Sequence, residues 1–458
     1  MRTPPPNSHD LLYEITQDYL KLWSDHWQDL WYGWANENIV SLLFRETGFA
    51  AASLVSKSPF FFRQKRHPSR AISLNLSLTL AIWGAAQHSV IPFSQGLLSF
   101  RDSPNLRPKI ESLQKRIQEI GLSIFSQAIT HYVVQKSLSL TKGLYTYLNH
   151  PFSRPDDSDM PHILQLGEAC IKDYAPHLSR EAPTLFVIPS LINQGYILDL
   201  LPHQSFLRYL TNNGIKPFLL EWGSPGEKES NYTLYDYYKY IVLPAFDVLS
   251  QSKNISVAGY CMGGIFATAL AQQKNLVDKL VLISTPWNFE AHSKPLPGLL
   301  DSILSASPSS SLPPEVIHSL FAGINPLKIL EKFQSFQELS KDDDIHRFIA
   351  LEDWANDGIS LSKKVAEDFF MSWIGENGLF QESWLFGDTT LRPEMITQKT
   401  YAVSGSYDKI VPPLSSKALY QKIPHIYSQE VPLGHTGLMA SPDAFHLFWE
   451  NLAKWLKS

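Results

Sequence analysis

Cysteine is scarce in this chain. There are two in 458 residues, Cys170 and Cys261. Two thiols cannot build the framework of a disulfide-stapled secreted domain, so a reducing, cytoplasmic compartment is expected. Contiguous basic charge is scarce as well. The short RQKRH at 63–67 is the one cluster and the formal charge is −5, which argues against a nucleic-acid partner. The first ten residues, MRTPPPNSHD, have no apolar core, and no signal peptide is expected. Long apolar runs are missing too. The longest uncharged stretch, AISLNLSLTLAIWGAAQHSVIPF from Ala71, carries Ser, Asn, Thr, Gln and His throughout. It reads as an amphipathic or buried helix, not a transmembrane span.

Aromatic residues, by contrast, are plentiful, with twelve tryptophans. Trp23, Trp27 and Trp31 are spaced four apart and form one stripe along a helix. That stripe suits packing onto another domain or subunit; an alternative is adhesion to an apolar surface. Residues 1–178 read as a strand-poor helical region. It includes a helical stretch from Pro108 to Leu148 interrupted at Gly121 and Gly143. The Pro/Asp-rich NHPFSRPDDSDMPH at 149–162 reads as a linker.

From about 179 onward the rhythm changes to strand, turn and helix. TLFVIPS (184–190), FLLEWG (218–223), ISVAGYC (255–261), KLVLIST (279–285), TYAVSGS (400–406) and IYSQEVPL (426–433) are short apolar runs bounded by turns. Helical patterns lie between several of them. This alternation predicts a mostly parallel sheet with helices on both faces, spanning 179–458. The gap at 286–399 is too long for one crossover and reads as an inserted helical cap.

The stretch VAGYCMGG supplies the chemistry. A strand, then Gly-x-Cys-x-Gly around Cys261, then a helix is the nucleophile elbow of an α/β-hydrolase fold. The helix N-terminus favours a thiolate and a neighbouring oxyanion. That fold orders its residues nucleophile, acid, histidine along the chain. Asp408, in SGSYDKIVPP, and His435, in PLGHTG, follow the last two strands and lie on the edge carrying Cys261. Asp357 belongs to the cap, His425 precedes the last strand, and His446 reads as helical, so each is a weaker candidate. The oxyanion hole is expected to use the backbone N–H of Met262 and a second N–H from Leu191 or Ile192.

Cysteine at this position suits acyl transfer. A cysteine acyl-enzyme is itself a thioester, so taking an acyl group from coenzyme A is nearly isoenergetic. Passing it to a hydroxyl is then downhill. At this point the chain resembles the polyhydroxyalkanoate synthases. The matching segments are VIPSLINQGYILDLLP with SFLRYL, FLLEWGSPG, VAGYCMGG, LISTPWNF, SGSYDKIVPP and GHTG, between about 180 and 445. The resemblance implies polymerisation of (R)-3-hydroxyacyl-CoA with release of coenzyme A. Cys261 would be the nucleophile, His435 its base and Asp408 the third member, with the aspartate also helping to deprotonate the 3-hydroxyl. No metal or redox cofactor is implied, since acyl-CoA is the substrate. The expected partners are the polyester chain and its granule surface, a second copy in a homodimer, or a second synthase subunit. A depolymerase, thioesterase or other acyltransferase on the same three residues is the alternative reading, and a non-enzymatic granule-surface protein a further one.

Overall fold

The computed structural model describes residues 10–22, 87, 89–96, 106–155, 160–251, 253–292, 311–314, 317 and 328–458. Trp23, Trp27, Trp31 and most of the uncharged stretch from Ala71 lie outside these residues. The chain divides into two compact units, one holding 1–151, 296–302 and 318–341, the other 152–295, 303–317 and 342–458.

The first unit is helical where it is described. It contains α1 (10–22), α2 (Arg107–Ile120), α3 (Leu122–Asn149) and the helix Lys328–Glu338. Helix α2 starts with Pro108 in its first turn, where the missing N–H costs no bond. It buries Ile110, Leu113 and Ile117, spaced as one face of a helix. Tyr19 anchors α1, its ring meeting Phe93 and Phe125 edge-on at 5.1 and 5.3 Å. The chain breaks at Gly121 as expected, but α3 runs unbroken through Gly143. Gly143 serves close approach, because a side chain there would strike the backbone of Phe333 in Lys328–Glu338. Gln337 completes this seam by donating to the Ser139 carbonyl at 2.7 Å. Residues 318–341, expected within the cap, therefore group with the N-terminal helices.

The second unit is built on an eight-stranded sheet. Its strands are β1 (His162–Leu166), β2 (Ala169–Asp173), β3 (Thr184–Ile188), β4 (Lys216–Glu221), β5 (Ile255–Tyr260), β6 (Val277–Ile283), β7 (Lys399–Gly405) and β8 (Ile426–Val431). Their spatial order is β1-β2-β4-β3-β5-β6-β7-β8. From β4 to β8 every neighbour is parallel, while β2 is antiparallel to both β1 and β4. The central strands β3 and β5 are buried at every residue, and the edge strands β1 and β8 are half exposed. That gradient is expected when helices cover both faces of a parallel sheet.

All six expected strands are present. Two others, β1 and β2, lie before residue 179 in HILQLGEACIKD. The sheet unit thus begins well upstream of the expected boundary, and the division at 151 falls inside the Pro/Asp-rich stretch. The hairpin was hard to read because β1 is an exposed edge whose outward residues leave no apolar run. Among the described residues no helix is long and apolar enough to cross a membrane.

Candidate active site

Strand β5 leads straight into Cys261, and helix α4 (Gly263–Gln273) leads away from it. Cys261 has φ 55. A non-glycine residue in the left-handed region costs about 1–2 kcal/mol and persists only where its surroundings impose it. Here the Cys261 N–H donates to the Ile283 carbonyl at the end of β6 (2.9 Å), and the Cys261 carbonyl accepts from Gly264 (3.0 Å). The turn is as tight as the motif requires. A side chain at 263 would run into the Ile188 and Pro189 carbonyls, and one at 259 into the backbone of Gly263 and Gly264. The loop after β3 therefore lies directly against the elbow.

Strand β7 ends at Gly405 and hands the chain to Asp408. The N–H groups of Ile410 and Val411 both donate to Asp408 Oδ1, at 2.9 and 2.8 Å. Asp408 Oδ2 lies 2.7 Å from His435 Nδ1. Both carboxylate oxygens are committed and the residue is buried. His435 follows β8 and is buried too. Burial alone would push its pKa down. The Asp408 carboxylate and Cys261, with hydrogen bonds to both, outweigh that and raise it to about 10. The ring is then an imidazolium at neutral pH, with Nδ1–H donating to Asp408. The three candidates Cys261, Asp408 and His435, drawn from three strand ends, thus meet in one buried cluster.

The weaker candidates lie elsewhere. The His425 carbonyl accepts from the Thr400 N–H at the start of β7, which is the opposite end of the sheet from Gly405. His446 sits in the helical turn Phe445–Trp449. Asp357 accepts a hydrogen bond from Tyr196 at 3.1 Å.

Among the expected oxyanion donors, the N–H of Ile192 is directed to Ser190 Oγ at 3.3 Å. The N–H groups of Met262 and Leu191 donate to no atom among the described residues, although both residues are buried. A buried N–H is nearly always paired. Two such donors beside Cys261 are suited to an acceptor that arrives with a ligand.

Two side chains near the cluster carried no recognisable signal. Tyr260 stacks on the His435 ring (centroids 5.1 Å apart, 29° between planes) and donates to the His435 carbonyl at 3.3 Å. Adjacency to Cys261 was its only clue. His292 lies 3.0 Å from Ser415 Oγ and stacks on Phe289. Burial lowers its pKa, and His435 lowers it further against the pull of Asp408, to about 4. The two histidines near Asp408 are thus held in opposite protonation states at neutral pH.

The family model that matches residues 220–442 describes the alpha/beta hydrolase fold. The chain has this fold. Its topology, its elbow and the strand-end positions of Asp408 and His435 agree with that match. The resemblance to the polyhydroxyalkanoate synthases is also borne out. A poly(3-hydroxyalkanoate) polymerase subunit of Haloferax mediterranei is 24% identical over 291 residues, covering 59% of this chain and 58% of that protein. The like-named subunit of Allochromatium vinosum is 24% identical over 283 residues, covering 59% of this chain and 80% of its own. That of a Synechocystis strain is 23% identical over 318 residues, covering 64% and 83%. The chain spans less than two thirds of the length of the Haloferax mediterranei relative.

Proposed function

We propose that the chain is an acyltransferase of the polyhydroxyalkanoate synthase type, polymerising (R)-3-hydroxyacyl-CoA with release of coenzyme A. The observation that carries this reading is a cysteine, not a serine, held at φ 55 on the elbow and interacting with an imidazole raised to about 10. The similarity to poly(3-hydroxyalkanoate) polymerase subunits supports the same substrate class.

Cys261 works as a thiolate beside the His435 imidazolium. Its sulfur attacks the thioester carbonyl of the substrate, and the developing oxyanion takes the N–H groups of Met262 and Leu191. The bond from the carbonyl carbon to the coenzyme A sulfur breaks. The departing thiolate takes the proton from His435 and leaves as free coenzyme A. The acyl group now sits on Cys261 as a thioester. His435, now neutral, accepts the proton of an incoming 3-hydroxyl as its oxygen attacks that thioester. The carbon–sulfur bond to Cys261 breaks, an ester forms, and the thiolate–imidazolium pair is restored. The three hydrogen bonds on Asp408 support a role in orienting His435 in both halves, in place of contact with the hydroxyl. No step calls for a metal or redox cofactor. On this reading the chain works in the cytoplasm at the surface of a polymer granule, as a homodimer or with a second synthase subunit.

Incubation with 3-hydroxybutyryl-CoA tests the proposal. Free coenzyme A together with polymer supports it. Free coenzyme A with monomeric acid would make the chain a thioesterase, and absence of coenzyme A release would remove the enzymatic reading.

A further inference from the structure

The loop that carries Leu191 is held in an unusual way. On the elbow side, Trp222 donates from Nε1 to the Pro189 carbonyl at 3.2 Å, and the Gly195 N–H donates to Glu221 Oε2 at 3.3 Å. Both partners stand at or just after the end of β4, so this side is fixed by the sheet. The other side is fixed by a segment more than 150 residues away, formed by the last turn of helix α5 (Asp342–Asn356) and the residues just after it. Trp354 Nε1 donates to the Gln194 carbonyl at 2.7 Å, and the Gln194 N–H to the Asp357 carbonyl at 3.4 Å. Asn193 Nδ2 donates to the Trp354 carbonyl at 3.1 Å, and Asn193 forms an antiparallel bridge with Gly358. The Ile359 N–H closes the set by donating to the Ile192 carbonyl at 2.8 Å. Tyr196 adds its hydroxyl bond to Asp357 Oδ2 at 3.1 Å.

The Ile192 carbonyl, both backbone polar groups of Gln194 and the Asn193 side chain are thus drawn onto 354–359, while Ser190 Oγ takes the N–H of Ile192. Among the described residues, the N–H of Leu191 in the middle of the loop has no acceptor. Each bond in the set has modest net value, about 0.5–1.5 kcal/mol, but together they fix the peptide planes on either side of that donor. An oxyanion donor acts through its placement, and a shift of a few tenths of an ångström removes much of its effect.

We infer that the 354–359 segment is a strap that positions the Leu191 N–H for the oxyanion, with Trp354, Asn193 and Tyr196 as positioning residues that never touch the substrate. The inference rests on the proposed role of Cys261. It extends that role, because it makes the oxyanion hole depend on a segment outside the elbow and outside the loop itself.

Two chemistries on the same thiol separate the strap from the nucleophile. Alkylation of Cys261 by iodoacetamide needs a thiolate but no oxyanion hole. Acylation by a p-nitrophenyl acyl ester needs both. Trp354→Phe keeps the ring and removes one donor; Asn193→Ala removes the other; Tyr196→Phe is the mildest of the three. Deleting an oxyanion donor costs about 10²–10³ in kcat, and a displaced donor is expected to cost about 10–100-fold in the Trp354→Phe, Asn193→Ala double variant. The expected result is a fall in the acylation rate, carried by kcat with KM little changed. The iodoacetamide rate and the circular dichroism spectrum should match wild type, and Tyr196→Phe should fall between wild type and the double variant. Acylation equal to wild type in the double variant overturns the strap. So does a parallel fall in alkylation, which would mean that the segment supports the whole site. A wild type whose Cys261 is alkylated but never acylated by the ester or by 3-hydroxybutyryl-CoA overturns the proposed function and the strap with it. A wild type that is acylated, beside an unchanged double variant, removes the strap alone.

Discussion

The two backbone segments flanking the proposed oxyanion are built on opposite principles. The elbow is fixed by steric fit around its glycines. Glycines at 259, 263 and 264 let strand, turn and helix press together, and the Gly263–Gly264 backbone, the Ile188 and Pro189 carbonyls and the Thr285 side chain leave no room for anything larger. The loop at 189–195 has no such internal geometry. It is held by side chains of other segments, Trp222 and Glu221 on one side and 354–359 on the other. One segment is steric and all-or-none; the other is hydrogen-bonded and graded. Substitutions should therefore divide into abolition at the elbow and partial loss at the loop.

The largest effects belong to the elbow. Cys261→Ala should abolish acylation, checked by mass spectrometry of the trapped acyl-enzyme; a label found on Cys170 would overturn the assignment. Gly263→Ala should be as damaging through backbone alone, because the added methyl meets the Ile188 and Pro189 carbonyls, and those cannot swing aside as a side chain would. Loss of both activity and soluble yield is the expected reading.

His435→Ala comes next, with a loss of about 10²–10⁴-fold in acylation, the usual range for a general acid–base group. Asp408→Asn follows. Removing the carboxylate should let the His435 pKa fall from about 10, so the alkaline limb of acylation by 3-hydroxybutyryl-CoA, which needs the His435 proton for the departing thiolate, moves to lower pH. The sign for stability is set by the same shift. A raised histidine pKa stabilises the fold fully below about 6.5, its unfolded value, and that contribution is lost as pH rises through about 10. Asp408→Asn should flatten that dependence in urea titrations. Its effect on the first acylation and on elongation should be equal; a selective loss of elongation would return the carboxylate to the hydroxyl.

The smallest effect sharpens the contrast between the two histidines. His292 is held neutral with a pKa of about 4, so its unfolded form binds a proton first. Its destabilising contribution should grow as pH falls from about 6.5 to about 4. His292→Phe should remove that slope and leave ester acylation at neutral pH close to wild type. An unchanged acid slope would mean that the ring is protonated in the folded protein.

The same contrast explains what was legible in the sequence. Cys261, Asp408 and His435 could be found because each sits at the end of an apolar run, beside turn residues, in the chain order of the fold. Met262 came with them as the next residue. Choosing between Leu191 and Ile192 was beyond reach, since the choice turns on the Ser190 hydroxyl taking one N–H. The strap was hidden for a stronger reason. DWANDGIS contains no local pattern that announces Asn193 and Gln194 as its partners, and Asp357 was visible only as a weak candidate acid. The β1–β2 hairpin was lost because an edge strand exposed on one side carries no run of apolar residues. Gly143 was misjudged as a break because its use lies in a contact with Phe333, far along the chain.

That last contact bears on how the protein is made. Helix α3 packs on Lys328–Glu338, so the helical unit is discontinuous, and more than half of the sheet unit is translated between these two helices. On a ribosome adding about 5–20 residues per second, the seam around Gly143 stays open for tens of seconds after α3 has emerged. During that interval the buried residues at the seam, Leu140, Leu144 and Tyr147, have no partner from Lys328–Glu338. The nascent chain is then most in need of a chaperone at a helix that looks, in the finished protein, like one of its most regular parts.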